Sequence, residues 1–223
     1  MQTLARSLPQ ITWSTTRTLD SLRVIACAIV VLSHVYEFVS GNLNNPINES
    51  LSYAAVAVFF FISGWVNANS LLRNSVRDFY VKRVKRIYPT YVKAFVLALG
   101  LSLVFGIYQP EYLTNLVFLN PFFGTIPTNA PLWSLSYEVL LYAAAPFLLA
   151  NRPVVCFLTQ FFLFLVFILA GHLWLMFAFW LGYTCFSLGL QLPRFEFFYK
   201  YGRHTYEIYV YHYLVLVVLW GMF

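Results

Sequence analysis

The chain has 223 residues, of which 61% are hydrophobic and 10% charged, with a formal net charge of +6. That composition lies far outside the range of a soluble globular domain and places the protein in a membrane. The positive balance does not point to nucleic acid, because the basic residues stand in short segments between apolar runs, which is how membrane topology is encoded.

A helix needs about 20 apolar residues to cross the hydrocarbon core. On that scale the sequence predicts seven spans, at 19 to 39, 51 to 71, 88 to 108, 132 to 150, 154 to 171, 172 to 190 and 205 to 223. The expected fold is an all-α polytopic transmembrane helical bundle forming one membrane-embedded domain over residues 1–223. Residues 1–18 are polar, carry Arg6 and Arg17, and are expected to be cytoplasmic. The apolar run after them is long and lacks an obvious small-residue cleavage site, so the first span is expected to be retained rather than removed as a signal peptide.

The first span, within "SLRVIACAIVVLSHVYEF", carries Arg23 and His34 eleven positions apart. At about 100° per residue both project from nearly one helix face, roughly 16 Å apart along the axis. Asp20 lies three residues before Arg23 and Glu37 three after His34, so each can meet its neighbour. Two readings stay open: a pair of intrahelical ion pairs with Arg23 reaching the headgroups, or a functional polar path through half the membrane. In the second reading the carboxylate orients His34 to take a proton from a hydroxyl group.

Between spans two and three stand Arg73, Arg77, Lys82, Arg83, Lys85 and Arg86. Arg152 separates spans four and five, and Arg194, Lys200 and Arg203 separate six and seven. The opposite loops, about 40 to 50, 109 to 131 and the turn at 171, contain no Lys or Arg. The bias predicts a cytoplasmic N-terminus and an outer C-terminus. Span four opens with Trp133, Ser134 and Glu138. Spans five and six meet at Gly171 and His172, as a turn or as a re-entrant pair. The last span holds His212 among tyrosines. Asn48, Glu49 and Ser50 form a glycosylation sequon, a common pattern that carries little by itself.

Cys27, Cys156 and Cys185 fall in apolar segments without paired spacing and read as packing residues. The histidines at 34, 172, 204 and 212 show no metal-ligand spacing, so no metal site is expected. Neither a Gly-rich phosphate loop nor a Gly-x-Ser-x-Gly elbow is present.

Five motifs in order resemble the membrane-bound acyltransferase 3 family: "LDSLRVIACAIVVLSHVYEF", "VAVFFFISGW", "FYVKRVKRIYPTY", "PLWSLSYEVLLYAAAP" and "YGRHTYEIYVYHYLVL". The resemblance covers both ends of the chain and thins between about 150 and 200. That family has about ten spans, so the resemblance implies a shortened member with about seven. It also implies O-acyl transfer across the cytoplasmic (inner) membrane. The donor would be a cytoplasmic acyl-CoA, acetyl-CoA first, serving as co-substrate with no bound cofactor. The acceptor would be a hydroxyl of a surface glycan or exopolysaccharide.

On this resemblance His34 is the general base, with Arg23, Glu37 and Glu138 as its catalytic companions and Glu138 a possible partner of His34. Arg83, Arg86 and Lys82 would face the CoA phosphates, against the plainer reading of topology-setting charge. Trp133, Ser134 and His212 would border the acceptor. Trp133 reads equally as an interfacial anchor, Ser134 as a helix cap and His212 as a packing residue. Homo-oligomerisation is a further expectation for so short a chain. Two other functions stay open: a transporter or channel for a small anion or proton, and an inactive partner of a glycan export system.

Overall fold

The computed structural model describes residues 12–42, 45–148 and 152–221. Arg6, the ends of the fourth and seventh predicted spans and part of the first outer loop lie outside these residues. Eight α-helices and three short 3₁₀ segments make up the described chain, with no strand among the described residues. Seven helices stand where the seven spans are predicted: α1 (Trp13–Ser40), α2 (Pro46–Arg73), α3 (Val76–Val104), α5 (Leu132–Leu148), α6 (Pro153–Leu169), α7 (Leu173–Ser187) and α8 (Thr205–Trp220). The protein is a helical membrane bundle.

Helix length separates two groups. α1, α2 and α3, at 28, 28 and 29 residues, are long and apolar enough to cross a membrane. At 1.5 Å per residue each runs about 42 Å, beyond the ~30 Å of hydrocarbon, so their charged ends have room outside it. α5 to α8 have 15 to 17 described residues, about 22–26 Å, and the third and sixth predicted spans end earlier than hydropathy suggests. Residues 105–108 and 188–190 leave the helices because Gly106 and Gly189 turn the chain at φ +69° and +70°. The turn read from Gly171 and His172 is present, with Gly171 at φ +73°.

Local chemistry sets the ends. Thr12, Asn45 and Ser75 accept hydrogen bonds from the first-turn amides of α1, α2 and α3, and Pro46 opens α2 at a position where no amide is needed. Gly41 closes α1 in the left-handed region at φ +65°. Pro89 and Pro146 lie inside continuous helix. The discontinuous helices expected of a transporter core are therefore not found among the described residues.

α2 packs most extensively against α7. Two glycines explain how: a Cβ on Gly64 would lie 1.9 Å from the Phe179 carbonyl oxygen, and one on Gly182 would lie 1.9 Å from that of Phe61. Small residues that bring two backbones together are the usual device of membrane helix packing, where apolar burial gives little drive. Gly64, from the "VAVFFFISGW" motif, therefore serves the helix pair.

The segment between α3 and α5 folds back into the bundle as Pro110–Val117, α4 (Asn120–Phe123) and Pro127–Asn129. Several polar groups tie it to the helices, although Asn129 Oδ1 is buried without a partner. Tyr91 donates to the Asn115 carbonyl at 2.6 Å, Thr128 to that of Ala98 at 2.7 Å and Asn129 to that of Val210 at 3.0 Å. What reads as a plain outer loop is a cap over one end of the helices.

Candidate active site

Two polar clusters occupy the bundle. At the end carrying the basic residues, a cavity of about 60 Å³ is lined by Arg23, Arg83, Arg86, Ser63, Glu138 and Tyr142 among others. α1 contributes Arg23, tied to Asp20 at 2.5 Å, the pairing expected from their spacing. α3 contributes Arg83 and Arg86. Arg83 Nε donates to Asn67 Oδ1 at 2.9 Å and its guanidinium lies 5.2 Å from the Tyr142 ring, while its Nη2 is buried without an acceptor. A buried donor left unpaired costs about 1–3 kcal/mol, more when charged, so the position favours an anionic oxygen.

Glu138 stands deeper. Its Oε1 accepts from Tyr142 Oη and lies 3.2 Å from Ser63 Oγ, which is itself 3.1 Å from Tyr142 Oη. Asn67 Nδ2 donates to the Ser63 carbonyl at 2.7 Å. One hydrogen-bonded line therefore runs from Arg83 through Asn67 and Ser63 to Glu138 and Tyr142. The expected pairing of Glu138 with His34 is not found: the carboxylate is held by α2 and its own helix. Ser134 also lines the chamber, 2.7 Å from Tyr209 Oη, and donates to the Pro131 carbonyl at 3.3 Å from within the first turn of α5, so it faces the cavity and is not the cap of its helix.

The second cluster lies beyond Tyr209. His34 Nδ1 is 2.7 Å from Glu37 Oε2, and Asn48 Nδ2 donates to Glu37 Oε1 at 3.0 Å. A carboxylate only accepts, so Nδ1 carries the proton and Nε2 holds the lone pair. His212 stacks on His34 with ring centroids 5.3 Å apart and an interplanar angle of 26°. Its Nδ1 is 2.8 Å from the Tyr209 carbonyl, which fixes the same tautomer, and its Nε2 is buried without a partner. Tyr213 meets His34 edge-on at 5.1 Å. Arg23 and His34 thus serve different clusters on one helix. Tyr209, buried against Phe59 at 5.5 Å and His212 at 5.9 Å, stands between them.

The profile of the family described as "Acyltransferase domain" matches residues 17–201. The chain belongs to this acyltransferase family. Nodulation protein 10 of Rhizobium leguminosarum bv. viciae is 28% identical over 160 residues, 58% of this chain and 43% of the relative. An O-acetyl transferase of Shigella phage Sf6 is 29% identical over 143 residues, 55% of this chain and 43% of the relative. The chain therefore matches less than half the length of these curated relatives. No solved structure matches it.

Within this acyltransferase domain Lys82 lies apart from the chamber, donating to Asn74 at the end of α2. The sequon residue Asn48 is occupied: it takes Ser33 Oγ at 2.8 Å, donates to the Ser33 carbonyl at 3.1 Å and holds Glu37. A glycan on its Nδ2 would replace one of the two amide hydrogens and so break one of these two donations. Trp133 stacks on His172 at 4.6 Å and does not line the arginine chamber. Sequence reasoning missed Ser63, Asn67, Tyr142 and Tyr209 as site residues. Ser63 with Asn67 and Glu138 with Tyr142 are polar pairs four apart inside apolar windows, a signal that each pair shares a helix face.

Proposed function

We propose that the domain transfers an acyl group, acetyl first, from cytoplasmic acyl-CoA to a hydroxyl of a surface glycan. The observation that carries this reading is the fixed His34–Glu37 pair, which leaves one imidazole lone pair at the end of the bundle opposite the arginine chamber. Members of an acyltransferase family need a base for the acceptor and cations for the donor, and the two clusters divide along those lines.

The chemistry follows. The acceptor oxygen attacks the thioester carbonyl while His34 Nε2 takes its proton, and Glu37 stabilises the imidazolium that forms. The tetrahedral intermediate collapses, the carbon–sulfur bond breaks, and the departing thiolate takes the proton from His34. The products are an ester and free CoA. Arg83 and Arg86 hold the CoA phosphates, where a planar guanidinium binds two oxygens at once. Tyr209 and Phe59 lie between the clusters, so the acyl end of the donor has to pass Tyr209 to reach the acceptor hydroxyl beside His34. The O-acetyl transferase of phage Sf6 supports acetyl as the group moved.

Joint replacement of Arg83 and Arg86 by lysine tests the donor side. It keeps the charge that sets topology but loses bidentate phosphate binding. The expected result, read as CoA thiol release against acetyl-CoA concentration, is a KM raised about tenfold, equivalent to 1.4 kcal/mol, with the membrane orientation unchanged. An unaltered KM would return these arginines to topology alone.

A further inference from the structure

At the end of the bundle opposite the arginines, aromatic side chains from three separate elements meet in one patch. Tyr53 comes from α2, Trp133 from α5, and His172 with Trp174 from the turn into α7. Trp133 is stacked on His172 at 4.6 Å and 26°, Tyr53 stands edge-on to Trp133 at 6.2 Å, and Tyr53 and Trp174 lie 5.5 Å apart. Tyr137 backs the patch from below, 5.9 Å from Trp133 and itself buried. Aromatic residues at a membrane interface commonly form belts whose rings sit at the headgroup level. Here they are gathered against each other, with Tyr53 38% exposed and Trp133, His172 and Trp174 half-buried.

Polar groups border the patch. Tyr53 lies within electrostatic range of Glu49, one turn before it on α2, and of Glu37. Asn48, one turn and a half before Tyr53 on α2, is the residue that holds Glu37 against His34. The patch is thus aromatic, with Tyr53 and Trp174 turned across the stacked pair of Trp133 and His172, bordered by polar groups and linked through α2 to the His34–Glu37 pair. That combination matches a pyranose ring, whose C–H face stacks on an aromatic plane while its rim hydroxyls need donors and acceptors.

We infer that Tyr53, Trp133 and Trp174 form a stacking platform for a neutral pyranose unit of the acceptor, adjoining the end at which His34 acts. The inference rests on the proposed transfer to a glycan, but its test reads binding and not transfer. Saturation-transfer NMR on the full-length protein in nanodiscs, with methyl pyranosides of several configurations as probes and sorbitol as a ring-less control, gives the first readout. The expected result is transfer to the ring C–H protons of at least one pyranoside, weakened about tenfold by Trp133→Ala or Trp174→Ala, the scale of losing an aromatic anchor. His34→Ala keeps this binding even where it abolishes acyl transfer, so the two ideas fail separately.

Brominated lipids supply a readout that needs no sugar. If the platform faces the acceptor, the fluorescence of Trp133 and Trp174, isolated by replacing the other tryptophans with Phe, escapes quenching by lipids brominated near the headgroup. Strong quenching of both would make the patch a lipid anchor and overturn the inference, as would equal saturation transfer to every pyranoside and to sorbitol.

Discussion

His34→Ala lowers acyl transfer by about 10²–10⁴-fold, the usual contribution of a positioned general base, while expression and helix content stay at wild-type levels. The physical reason is the fixed tautomer. Glu37 holds the Nδ1 proton and is itself held by Asn48, so the lone pair on Nε2 is the group lost. Glu37→Gln should fall between wild type and His34→Ala, because the amide oxygen still accepts from Nδ1 but no longer offsets the imidazolium charge. His204→Ala is the control: that ring lies exposed at the basic end beside Arg203 and should leave the rate unchanged. CoA thiol release measures all three. Retention of more than about a tenth of the rate by His34→Ala would remove the base assignment.

The second large effect is on assembly. Gly182→Val should leave little monodisperse protein after detergent extraction, because even its Cβ would lie 1.9 Å from the Phe61 carbonyl oxygen and 3.1 Å from the Phe61 Cα. Backbone atoms cannot swing aside as a flexible side chain can, so α2 and α7 must separate along the contact that joins them most closely. Overpacking of ordinary cores costs about 1–3 kcal/mol, and here the added branches extend the clash. Gly100→Ala is the contrasting case: nothing lies within 4 Å of its Cβ position, and replacing a helical glycine should stabilise by about 0.5–1 kcal/mol. Thermal unfolding of the two variants side by side reads the difference.

The helices were legible because twenty-residue apolar runs and basic interruptions leave few alternatives for a chain of this composition. The pairs Asp20–Arg23 and His34–Glu37 followed from three-residue spacing on a helix, and both are made. What spacing could not supply was partnership across helices. Arg23 and His34 share a face of α1, which suggested one continuous polar stripe, yet Tyr209 from α8 separates their surroundings. A buried acid needs a partner, and for Glu138 the sequence leaves open His34 or a place in the acceptor pocket; α2 offers Ser63 and its own helix offers Tyr142. The sequon at Asn48 illustrates the same limit: a three-residue pattern is blind to Ser33 and Glu37 on the neighbouring helix. The outer loop was read as a connection, although Asn115, Thr128 and Asn129 fasten it into the bundle through pairings 24, 30 and 81 residues apart.

The central claim is that donor and acceptor meet from opposite ends, with acyl-CoA entering at the arginine chamber. The most direct measurement compares CoA thiol release from acetyl-CoA in inverted membrane vesicles, which present the cytoplasmic face outward, with release in intact spheroplasts. Acetyl-CoA does not cross a sealed membrane, so the account predicts release by wild type in inverted vesicles, none in spheroplasts, and loss of the vesicle signal in His34→Ala. Release in spheroplasts alone, or release in inverted vesicles that His34→Ala leaves intact, would contradict it.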